Sequence, residues 1–224
     1  VSLKVQERRS NFSKPPSGKE STMHGLTRKA LTLILIITLV GVAAPVWAGP
    51  PTDAVKSTVD EVIRILQDPA LKAQEPRRRQ LVKQTVDRRF DYDEMAKRAL
   101  PNWQSLSPAQ RRDFVSLFAE LLEASYADKL MKYSGEKVSY VGERMDGDRA
   151  EVRTLLLRKN DRIPMNYRLI NSSGWVVYDV VIEGVSLVNN YRSQFSRVIR
   201  ESSYADLVRR LRNKVEEQRR MGDM

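Results

Sequence analysis

Eight residues from Trp175 to Ile182 read W-V-V-Y-D-V-V-I and are apolar on both phases of an extended chain. Val176, Tyr178, Val180 and Ile182 share one phase. Trp175, Val177 and Val181 share the other, interrupted only by Asp179. Such β-branched and aromatic density predicts a strand, and two apolar faces predict that it is covered on both sides. Glu183-Gly184 then breaks the pattern. Ser186 is placed to cap a helix, and Val188, Tyr191, Phe195, Val198 and Ile199 follow at helical spacing.

Upstream, a period of two recurs in three more segments. Val138 and Tyr140 alternate with polar neighbours, as do Val152, Thr154 and Leu156, and Ile163, Met165, Tyr167 and Leu169. Asp146-Gly147, Asn160-Asp161 and Asn171 to Gly174 supply the turns between them. Four sequential strands with short turns predict an antiparallel meander.

Before the strands the period is helical. Thr52 or Asp53 is expected to cap a first helix carrying Val55, Val59, Val62, Ile63 and Leu66, ended by Asp68-Pro69. Pro76 suits the first turn of a second helix, and Asp91 caps a short third one stopped by Pro101. Ser107-Pro-Ala-Gln110 opens the longest helix with an N-cap serine, proline at N1 and glutamine at N3. Its Phe114, Leu117, Phe118, Leu121, Leu122, Ser125 and Leu130 form one face. Ser203 to Asp206 opens a last helix with Leu207, Val208, Leu211 and Val215 inward. Helices, then sheet, then helices predict an α+β domain: about seven helices on a curved four-stranded antiparallel sheet.

Composition changes the picture at the N-terminus. Met23 opens a short basic segment, Leu31 to Ala44 is an unbroken apolar run of 14 residues, and Val46-Trp-Ala48 offers small residues for cleavage. The run is shorter than the roughly 18 residues a membrane span needs, so 23–48 is read as a cleaved signal peptide. Residues 1–22, polar and patternless, are expected to precede the true translation start. Residues 49–224 then form one domain. They hold 32 basic and 26 acidic residues, a balance of +6 against +11 for the whole chain. That suits anionic surfaces or acidic proteins, and no nucleic-acid motif accompanies it.

Candidate chemistry is sparse. The chain has no cysteine, and its one histidine, His24, lies in the leader. The usual nucleophile–base pairs are therefore missing, and neither a metal site nor an enzyme is expected. Asp179 is the one carboxylate set among apolar strand residues. Its ordinary reading is an ion pair with Arg168 on the outer face of the sheet; its sharper reading is a general base. Arg77, Arg78 and Arg79 stand together at a helix start, where the helix dipole disfavours them. They suit either a solvated face or docking to an acidic partner.

The stretch Met165-Asn-Tyr-Arg-Leu169, a turn, then Trp175 to Phe195 resembles the signature of the MlaC family, also called toluene-tolerance or Ttg2-type auxiliary components of ABC transporters. F-x-x-L-F-x-x-L-L-x-x-x-Y from Phe114 to Tyr126 fits the same family, and the resemblance extends over residues 53 to 217. It implies a monomeric periplasmic carrier with phospholipid as cargo and no cofactor. Its implied partners are an outer-membrane MlaA-type lipoprotein–porin complex and an inner-membrane ABC transporter with an MlaD-type MCE protein.

Acyl chains held inside would lie on the inward phase. This nominates Val138, Tyr140, Val152, Thr154, Leu156, Met165, Tyr167, Leu169, Val176, Tyr178 and Val180, with Phe114, Phe118 and Leu121 from the long helix. A headgroup left in water needs no specific readout, so broad phospholipid specificity is expected. Two other readings stand beside the carrier: a small-ligand enzyme using Asp179, and a periplasmic scaffold with a filled core.

Overall fold

A computed structural model describes residues 49–222; the expectations for residues 1–48 lie outside them. The elements run α1 (Pro50–Gln67), α2 (Pro69–Lys72), α3 (Glu75–Asp87), α4 (Tyr92–Ala99), α5 (Pro108–Met131), β1 (Lys137–Asp146), β2 (Arg149–Leu157), β3 (Arg162–Asn171), β4 (Trp175–Ile182), β5 (Val185–Ser186), α6 (Leu187–Glu201) and α7 (Tyr204–Gly222). The strands pair in sequence order, all antiparallel, as a curved open sheet. The expected α+β meander is present. β5 is an added two-residue strand, formed because Glu183 and Gly184 both take positive φ and fold the chain straight back on β4.

Local capping explains most helix starts. Ser107 accepts from the Gln110 amide while Gln110 reaches back to the Ser107 amide, a complete capping box. Asp91 accepts from the Glu94 amide and Ser186 from that of Asn189. The first helix departs from expectation. It begins at Pro50, with Gly49 rather than Thr52 or Asp53 at the cap position. Its free amides are met from across the molecule: Glu143 of β1 accepts from the Thr52 amide at 2.8 Å and from its hydroxyl at 2.6 Å. The Glu143 carboxylate lies against Gly49, so a side chain at position 49 would push the end of Glu143 away from Thr52.

Two bulges decide which strand residues face inward. In β1, Tyr140 pairs with Thr154 and Gly142 with Arg153, leaving Val141 as an extra residue that is 48% exposed. Beyond it Glu143 pairs with Val152 and shares its face, which is how it reaches α1. In β4, Arg168 pairs with Asp179 but Leu169 with Val177, so Tyr178 is the extra residue. Strict alternation had grouped Val176 and Tyr178 with Val180 and Ile182. The bulge instead puts Val177 and Trp175 with Val180 and Ile182, in one apolar cluster with Val152 and Leu169. Tyr178 packs among the helices, under the Arg98 guanidinium at 4.3 Å.

Candidate functional site

The buried apolar residues do not merge into one core. One cluster joins α4, α5, α6 and α7 around Phe114, Phe118, Phe195, Leu207 and Val215. A second joins the sheet to Val55 of α1, and a third ties α1 to α3 through Ile65, Leu66 and Val82. Where the three would meet there is instead a cavity of about 330 Å³. This lies near the lower end of the roughly 300–1,000 Å³ spanned by ligand pockets.

Its walls come from every layer. α1 contributes Val55, Val59, Val62 and Ile63, and α3 contributes Val82 and Val86. α5 contributes Leu122, Tyr126, Leu130 and Met131, and the sheet Val138, Leu156, Met165, Tyr167, Val177, Val180 and Ile182. Phe90, Tyr92, Met95, Ala127, Tyr133 and Leu187 complete the apolar lining. Burial pushes the Tyr167 phenol up to about 12, and among the described residues its hydroxyl meets only the Met165 sulfur, at 3.2 Å. Burial also raises Tyr140, aided by Tyr167 and Asp60, and its hydroxyl has no partner among the described residues. Both phenols stay neutral, so the sheet side of the cavity carries no charge from them.

The charged groups on the wall gather at the seam between α3 and α5. Arg79 bridges to Asp128 at 2.8 Å and to Glu75 at 3.3 Å. The Asp128 hydrogen bond chiefly holds its guanidinium pKa above the usual value. Lys83 sits between Asp87 and Glu123, at 2.5 and 3.7 Å. Burial pulls Lys83 down, but the two carboxylates outweigh it and leave it raised. Asp87 also accepts from Tyr92 at 2.9 Å. Arg89 is lowered by burial and is committed to the Thr58 hydroxyl and the Trp175 carbonyl.

Of the positions nominated from the sequence, Val138, Leu156, Met165, Tyr167 and Val180 line this cavity. Tyr140, Val152, Thr154 and Leu169 share the sheet face but do not line it. Val152 and Leu169 are covered by Val55, and Thr154 donates to the Met165 carbonyl. Val176 and Tyr178 are turned away by the bulge. Phe114, Phe118 and Leu121 belong to the helical cluster, where the two phenylalanines pack edge-to-face against Tyr191 and Phe195.

The cause lies in α5, which is apolar on two sides. Phe114, Phe118 and Leu121 face α6 and α7, whereas Leu122, Tyr126 and Leu130 face the cavity. The α1 and α3 lining was visible in the sequence only as core-facing helical stripes. Asp179 is absent from the lining and 3% exposed; it accepts from Arg168, Ser186 and the Val188 amide. Of the three adjacent arginines, Arg77 is exposed, while Arg79 lies on the cavity wall.

Residues 56–213 match the profile of the family described as MlaC protein. A curated relative from Haemophilus influenzae (strain ATCC 51907 / DSM 11121 / KW20 / Rd), the intermembrane phospholipid transport system binding protein MlaC, is 29% identical over 116 residues. The alignment takes in 49% of this chain and 54% of the relative, so the chain spans about half the length of the curated relative it matches. A phospholipid-binding protein from Ralstonia solanacearum, solved in complex with a phospholipid, superposes with a TM-score of 0.68 at 28% identity, over 76% of this chain and 99% of that one.

Proposed function

The chain belongs to the MlaC family, and from that premise we propose that it is a phospholipid carrier whose cavity holds acyl chains while the headgroup stays in water. The observation that carries this reading is the failure of three apolar clusters to close on one another. A filled scaffold would merge them, since interiors otherwise pack to crystal density. An enzyme using Asp179 would need that carboxylate at the cavity, and it is spent on the other face of the sheet.

The physics of transfer suits such a site. Two acyl chains bury about 30 methylenes at ~0.8 kcal/mol each, so escape through water is too slow to be useful. A wall of Val, Leu, Ile, Met and Tyr resembles the bilayer interior in polarity. Movement between membrane and carrier is then close to isoenergetic, and docking partners set its direction. No covalent step is needed.

The carrier reading places the protein in the periplasm, exported by the 23–48 leader and starting at Gly49. There it exchanges lipid between an outer-membrane MlaA-type complex and an inner-membrane transporter bearing an MlaD-type protein. Native mass spectrometry of the purified protein, with solvent extraction, tests the central claim. About one phospholipid per chain is expected. A lipid-free protein that cannot be loaded from vesicles would overturn it.

A further inference from the structure

We propose that the seam between α3 and α5 is a headgroup site that selects zwitterionic phosphoethanolamine lipids over anionic phosphoglycerol lipids. This deepens the carrier reading and rests on it. A headgroup must lie where the cavity meets water, and the charged side chains mark that boundary. Arg79, Lys83, Glu123 and Asp128 are each between 31% and 45% exposed at the side chain, and all but Asp128 line the cavity. Leu130, two residues beyond Asp128 on α5, lines the cavity and is 39% exposed. Of the remaining charged groups on the wall, Asp87 pairs with Lys83 and Tyr92 and the other two are tied into turns. Arg89 holds the Trp175 carbonyl, and Glu136 accepts from Ser134.

The seam is held by exchangeable pairs rather than interlocked apolar side chains. Two bridges cross from α3 to α5, Arg79 to Asp128 and Lys83 to Glu123, while Glu75 and Asp87 hold the same two cations from within α3. A phosphodiester arriving at the mouth replaces those carboxylates as partner of the two cations. Glu123 and Asp128 are then left facing the rest of the headgroup. The ammonium of phosphoethanolamine pairs with them, so two ion pairs are exchanged for two others. A phosphoglycerol headgroup brings the anion but no cation, and leaves both carboxylates unmatched beside it. The broad specificity expected of a fully solvated headgroup therefore narrows to a preference. Its size is about three- to fivefold, the range that partly exposed ion pairs supply.

The test loads delipidated protein from vesicles of equimolar phosphatidylethanolamine and phosphatidylglycerol, and separately from vesicles doped with diacylglycerol, and reads bound lipid by native mass spectrometry. Wild type is expected to hold phosphatidylethanolamine in three- to fivefold excess. Glu123→Gln with Asp128→Asn should bring the ratio to one or below, read on protein whose thermal melt shows it folded. The wild-type preference should also fade between low and high salt, a reading that needs no variant. Equal loading of the two phospholipids by wild type, or a preference indifferent to salt and to the double variant, would overturn the headgroup site while leaving the carrier standing. Failure to load any of the three lipids would overturn the carrier reading itself.

Discussion

Asp179 accepts from the Val188 backbone amide at 3.1 Å, a bond that fastens the first turn of α6 to the middle of β4. The same carboxylate accepts from the Ser186 hydroxyl at 2.7 Å and from Arg168 at 3.1 Å. The strand-to-helix turn that stood out in the sequence is thus held by one buried acid. Asp179→Ala leaves an amide and a guanidinium without their acceptor. With Arg168 partly in water, the cost should be about 2–3 kcal/mol, read by urea denaturation. Lipid loading of the folded fraction should be unchanged; lost loading at intact stability would place Asp179 in the site after all.

Leu156 and Val180 face the cavity, whereas Phe114 is sealed in the helical cluster. Leu156→Trp and Val180→Trp should expel lipid and leave the melting temperature near that of wild type. In a filled core the same enlargement would cost ~1–3 kcal/mol. Phe114→Ala should behave oppositely, losing about 3–5 kcal/mol while the folded protein still loads lipid. Strong destabilisation by both tryptophans in lipid-free protein would favour the scaffold.

Tyr167 has its phenol raised to about 12 by burial, above the ordinary value near 10. Its folded state therefore holds a proton that the unfolded chain releases first. The contribution is fully present below about pH 10 and is lost as pH rises through about 12, a span worth roughly 2–3 kcal/mol at most. Tyr92 and Tyr140 shift in the same direction. Ultraviolet titration should show part of the chain's eight tyrosines ionising late. Tyr167→Phe should flatten the fall in stability with alkalinity; an unchanged slope would show that this phenol is not held neutral.

Arg77 and Arg79 should separate on mutation although two positions apart. Arg77 is exposed, and Arg77→Glu should leave the melting temperature unchanged while slowing association with an acidic docking partner at low salt. Arg79→Glu sets a third acid beside Glu75 and Asp128 and should cost about 1 kcal/mol. Equal partner binding by Arg77→Glu and wild type at low salt would mark Arg77 as a solvated face.

Features set by neighbours in the sequence were legible. The caps at Asp91, Ser107 and Ser186 need only a side chain and an amide two or three residues on, and the meander follows from its turns. The bulges were not, because one extra residue in V-V-Y-D looks like unbroken strand. The single hint was Asp179, a carboxylate sharing a phase with Val177. The cavity was illegible for a different reason. Apolar periodicity shows which way a side chain points, but not whether anything meets it there. Glu143 at the start of α1 joins residues 91 positions apart, and no local pattern signals it.

The gap left between three apolar clusters also has a mechanical meaning. Hydrostatic pressure favours whichever state takes less room, and unfolding removes voids, typically by ~20–100 mL/mol. An empty carrier of this build is compressible at its centre. One whose gap is occupied by hydrocarbon has lost that weakness. Cargo here acts as a part of the interior that the polypeptide does not itself supply, and resistance to pressure becomes a gauge of how full the molecule is.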